Sequence, residues 1–72
     1  MTDLDCKKLL EPYSENGRTV EGQVKWLTKK SIPPDVIGIA IKSVYSEIAN
    51  GKIFADGHEL DRYLLDIASK LY

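Results

Sequence analysis

The chain has 72 residues, 43% hydrophobic and 29% charged, with a formal net charge of −1. That length allows one domain, residues 1–72, which buries only about 60% of the surface of its unfolded chain and leaves little room for a large substrate pocket. The near balance of charge argues against indiscriminate binding to phosphate backbones, and the single cysteine, Cys6, cannot form an internal disulfide.

Thr2 suits the N-cap of a first helix, with Asp3 and Asp5 in its opening turn. Cys6, Leu9, Leu10 and Tyr13 fall on one side of it, so Cys6 is expected to be buried. Pro12 stands near its end, and Ser14-Glu15-Asn16-Gly17 reads as a loop with an Asn-Gly turn. Thr19 is the next N-cap, with Glu21 in the first turn. Val20, Val24 and Leu27 repeat at i, i+4 and i+7 and predict one buried face, with Trp26 well off it. Lys25, Lys29 and Lys30 cluster toward the end of this helix, where positive charge suits its dipole.

Pro33 ends that helix before Ile32, and Pro34 and Asp35 open a third helix over about 34–50. Asn50-Gly51 provides a left-handed stop. Val36, Ile37, Ala40, Ile41, Val44, Tyr45 and Ile48 project over about half its circumference, a wider arc than a surface helix needs. Ile39 falls instead among the polar positions. The many β-branched residues allow a strand over 36–41, but the helical spacing continues through Ile48 and the flanking caps fit a helix. Gly22 and Gly38 sit inside the second and third helices. Each is either tolerated or permits a close approach of another backbone.

Lys52-Ile53-Phe54-Ala55 is an extended connection, with Phe54 expected to plug the bundle. Asp56 and Glu59 fit a capping box that starts a last helix over about 57–71. Leu60, Leu64, Ile67 and Leu71 form its inner stripe, flanked by Tyr63 and Ala68. Leu65 and Tyr72 point to another side, and Asp61, Arg62, Asp66, Ser69 and Lys70 form its wet face. The chain therefore reads as all-α, a small compact bundle of about four helices. The third is central and mostly buried, and it packs antiparallel on the fourth.

Chemistry-bearing groupings are sparse. His58 is the one histidine, and its neighbours Asp56, Glu59 and Asp61 suit a cap and a first turn better than a metal shell. A Cys6–His58 nucleophile pair would require opposite ends of the chain to meet in a cleft. No phosphate-binding glycine pattern occurs. No catalytic residue, metal or cofactor is expected. A helix-turn-helix reading of the second and third helices fails on content, because the latter opens Asp35-Val36-Ile37-Gly38-Ile39 without a base-reading side chain.

No run approaches the roughly 20 apolar residues of a membrane span, and Thr2-Asp3-Leu4-Asp5 lacks the apolar run of a secretory signal. A soluble cytoplasmic protein with no membrane partner is expected. The apolar surplus of so short a chain points to a non-enzymatic protein–protein interaction module or regulator, binding a protein partner or a second copy of itself. Trp26, Ile39, Leu65 and Tyr72 are its candidate contacts, since each falls off the inner stripe of its helix. The alternative is a nucleic-acid-binding domain that uses Lys25, Lys29 and Lys30.

Overall fold

The Asn-Gly and Pro-Pro punctuation divides the chain where the sequence indicates. The structure, a computed structural model, describes residues 6–72. The expected cap at Thr2 and the first-turn Asp3 and Asp5 lie outside the described residues. Among those described, four helices are present: α1 (Cys6–Leu10), α2 (Val20–Lys29), α3 (Pro34–Ala49) and α4 (Gly57–Leu71). α1 passes into two 3₁₀ turns, Glu11–Tyr13 and Glu15–Gly17, where Asn16 and Gly17 take left-handed conformations at φ 64° and 72°.

Caps explain the boundaries. Thr19 Oγ1 accepts from the Gly22 N–H at 2.9 Å, and Asp56 Oδ1 accepts from the Glu59 N–H at 2.9 Å. α3 stops where Gly51 turns to φ 107°, so that the Lys52 N–H reaches the Glu47 carbonyl at 2.9 Å. α2 stops in the same way but with a serine. Ser31 sits at φ 65°, and the Ile32 N–H reaches back to the Leu27 carbonyl at 3.2 Å. Leu27 and Ile32, the two residues joined by this bond, are both buried, and the turn thus anchors the α2–α3 connection. Because a side chain disfavours the left-handed region, Ser31→Gly is expected to stabilise the fold by about 0.5–1 kcal/mol. Urea denaturation would measure this as a raised midpoint at unchanged slope.

α3 lies at the centre, with α1, α2 and α4 packed against it. It pairs antiparallel with α4. Near its end Glu47 accepts from the Tyr63 hydroxyl, in the second turn of α4, at 2.8 Å. The core comprises Leu10, Tyr13, Leu27, Ile32, Ile37, Ala40, Ile41, Val44, Tyr45, Phe54, Leu60, Leu64 and Ala68. Phe54 does plug the bundle. Its ring stands edge-on to Tyr13 at 5.9 Å and tilted against Tyr63 at 5.4 Å, and its N–H donates to the Tyr13 hydroxyl at 2.9 Å.

Three expectations are corrected. Val24 is exposed; the inward position on α2 goes to Gln23, which has partners inside the bundle. Leu71 keeps the inward phase of α4 yet is 48% exposed, because periodicity on the last turn does not supply a neighbour. Cys6 is half-buried rather than buried. Neither helix-interior glycine marks a close crossing. A Cβ on Gly38 would meet nothing within 4 Å, and one on Gly22 would touch only its own cap at Thr19 Oγ1. The close approach in this fold is at Gly57, where a Cβ would overlap the Arg18 guanidinium.

Candidate functional site

The densest polar grouping joins α2, α3 and α4 to the turns between α1 and α2. Tyr45 on α3 donates its hydroxyl to Gln23 Oε1 on α2 at 2.7 Å. Gln23 Nε2 donates to Asp61 Oδ1 on α4 at 2.9 Å. Arg18 Nε donates to Asp61 Oδ2 at 3.0 Å, and its Nη1 donates to the Tyr13 carbonyl at 2.9 Å. Glu15 adds an ion pair to Arg18 at 3.4 Å and accepts from the Gly57 N–H at 3.0 Å. Burial pushes the Tyr45 phenol well above its ordinary range, with the nearby Cys6 thiol a lesser cause in the same direction. It therefore stays a neutral donor at neutral pH. The Gly57 N–H, with Arg18 behind it, holds Glu15 below the usual carboxylate range.

Among the described residues no buried side-chain nitrogen or oxygen is left without a partner. A network satisfied in this way stiffens the bundle. Asp61, expected on the wet face, is thus a half-buried member of it. Sequence periodicity does not reveal this role, because its partners lie 38 and 43 residues away.

The sequence-derived candidates divide into two groups. Trp26 and Leu65 are half-buried and pack against the core. Ile39 is 53% and Tyr72 71% exposed. Trp26 lines a shallow groove with Asp61, Gly22 and residues of the second 3₁₀ turn. Leu65 and Tyr72 share one side of α4, seven positions apart. Ile39 lies elsewhere. On α3 it projects away from both Tyr45, which faces α2, and Ala40 and Val44, which are buried. The three lysines of the alternative reading, Lys25, Lys29 and Lys30, are all exposed, and Lys30 Nζ lies 5.9 Å from the Trp26 ring centroid. His58 is exposed in the first turn of α4.

A groove missed by the sequence reading lies between α1 and the end of α3. It has a volume of about 310 Å³ and is lined by Leu9, Pro12, Ile48 and Ile53, with Lys8 and Lys52 among its walls. Ile53, at its edge, is 83% exposed. The extended backbone after Gly51 turns Phe54 inward and leaves Ile53 outward, as alternation along an extended segment requires. The Lys52 ammonium stands 4.7 Å from the Tyr63 ring centroid and 5.4 Å from that of Phe54. A larger depression of about 450 Å³ between α1 and the start of α2 is lined by Cys6, Leu10 and Val20, with Lys7, Glu11, Arg18 and Glu21 also in its walls. Its charges are of both signs and define no single ligand chemistry.

No protein-family model, curated protein or solved structure matches this chain. No helix among the described residues is long and apolar enough to cross a membrane.

Proposed function

We propose that this protein is a small non-enzymatic protein-binding module that works in the cytoplasm and takes an apolar segment of a partner flanked by acidic residues. The observation that carries this reading is Ile53, exposed at the edge of a groove lined by Leu9, Pro12 and Ile48. Scattered apolar side chains on a surface need no explanation, but an apolar side chain beside an apolar groove offers burial to a partner. Lys52, exposed beside Ile53, favours a partner carrying Asp or Glu beside its apolar anchor. Ile39 and Tyr72 are further exposed contacts of the same kind. The cytoplasmic location rests on the sequence, whose single cysteine asks for no oxidising compartment.

Affinity capture from the lysate of the source cell, with and without nuclease, tests the reading. Ile53→Asp places an acid beside Lys52 and removes the apolar contact without touching the core. A partner retained after nuclease by the wild-type chain and lost by Ile53→Asp is the expected result. A partner set that disappears with nuclease, or with charge reversal of Lys25, Lys29 and Lys30, would replace this reading with nucleic-acid binding.

A further inference from the structure

The outward face of α3 carries a pattern that the single chain does not use. Asp35, Gly38, Ile39, Lys42 and Ala49 are exposed along it. At about 100° per residue they occupy one arc, opposite the buried Ile37, Ala40, Ile41 and Val44 and bordered beside Gly38 by the buried Tyr45. Ile39, 53% exposed, lies at one edge of this arc and Gly38 at the other. Ion pairs among the described residues join Arg18 to Glu15, Arg18 to Asp61 and Lys70 to Asp66, and include neither Asp35 nor Lys42. Gly38 has open space where a Cβ would stand. Nothing in the packing of the single chain calls for glycine there, although glycine weakens a helix interior.

These features fit a second copy of the same helix. Two antiparallel α3 helices related by a two-fold axis between positions 38 and 39 present Ile39 to Ile39 of the second copy. On the other side of the axis Gly38 meets Gly38, which lets the backbones approach. Asp35 and Lys42 lie at equal distances from that axis, so each Asp35 meets Lys42 of the second copy, twice over. An isologous contact demands this self-complementarity.

We propose that the chain self-associates as an antiparallel homodimer through the outward face of α3. This deepens the protein-binding reading and rests on it. One helix face is small beside the roughly 1,600 Å² of a standard stable interface, so the dimer is weak and depends on concentration.

Sedimentation equilibrium of the full chain from micromolar to millimolar concentration is the test. The wild-type chain is expected to pass from monomer to dimer. Asp35→Lys and Lys42→Asp, each of which turns both cross-axis pairs repulsive, are expected to weaken dimerisation about tenfold. An equimolar mixture of the two variants restores it, because the mixed dimer has only opposite charges facing. Ile39→Asp removes the apolar contact and is expected to abolish association while the monomer keeps its helical content. A wild-type chain that stays monomeric at millimolar concentration overturns the proposal. So does a dimer indifferent to both charge reversals, or a mixture that stays dissociated. If the monomeric chain still captures a partner through the Ile53 groove, only the self-association falls; if it captures none, the protein-binding reading falls with it.

Discussion

Asp61→Ala is expected to destabilise the fold by about 3 kcal/mol, read as a lowered midpoint in urea denaturation. Asp61 accepts from Arg18 at 3.0 Å and from Gln23 at 2.9 Å, and nothing else in the bundle takes over both donors. The Arg18 side chain is only 10% exposed, and Gln23 is 3% exposed. Breaking a fully buried ion pair by removing one partner costs about 3–5 kcal/mol. The lower end applies here, because 24% of the Asp61 side chain reaches solvent. A domain of this size has about 4–10 kcal/mol of stability in all, so the loss is a large fraction. Asp61→Asn is expected to recover little. Both neighbours donate, and the new amide nitrogen is itself a donor, which leaves one pair facing donor to donor. A loss below about 1 kcal/mol would show that water replaces the carboxylate at no great cost.

Gly57→Ala is expected to cost about 2 kcal/mol, and the cost should vanish when Arg18 is also replaced by alanine. The new methyl group would occupy the position of the Arg18 guanidinium. A long side chain often swings away from such a clash cheaply, but this one is held at Asp61 and at the Tyr13 carbonyl. Displacing it opens the same network that Asp61→Ala opens. Without Arg18 the site is vacant, and alanine is the better helix former by up to about 1 kcal/mol. A double-mutant cycle should therefore show a coupling of about 2 kcal/mol or more between residues 57 and 18. Equal costs in both backgrounds would place the penalty of Gly57→Ala in the α4 backbone instead.

Glu15 links the same network to pH. Its carboxylate is held below its ordinary range by the Gly57 N–H first and by Arg18 as a lesser influence. A group whose folded pKa is depressed contributes stability above its unfolded pKa and loses it as pH falls through the folded value. The contribution of Glu15 is therefore complete at neutral pH and fades only in the acid range.

The parts of this fold legible in the sequence are those fixed by neighbours in the chain. Thr19, Asp56 and Gly51 set helix ends through bonds to residues three or four positions away. The stripes of α3 and α4 follow from spacing, and so does the central place of α3. Less legible are the features that depend on distant partners. Gln23 looks like a surface residue until Tyr45, 22 positions on, and Asp61, 38 positions on, are brought to it. Ser31 ends α2 in a conformation that glycine usually takes, so its role as a stop has no compositional mark. Leu71 shows the converse, an inward phase without a neighbour to meet.

The candidate surfaces divide along the same line. Ile39 stands out from sequence because periodicity alone places it on the polar side of α3. Trp26 and Leu65 also stand off their stripes, yet both are half-buried against the core. The Ile53 groove has no sequence signature, because α1 and the end of α3 meet only in the folded chain.

The measurement that tests the central claim most directly is hydrogen exchange on the chain, alone and in complex with the partner that survives nuclease treatment. Binding through the groove predicts added protection over residues 8–13 and 48–54, with residues 24–31 unchanged. Protection confined to residues 24–31, around Lys25, Lys29 and Lys30, would contradict it.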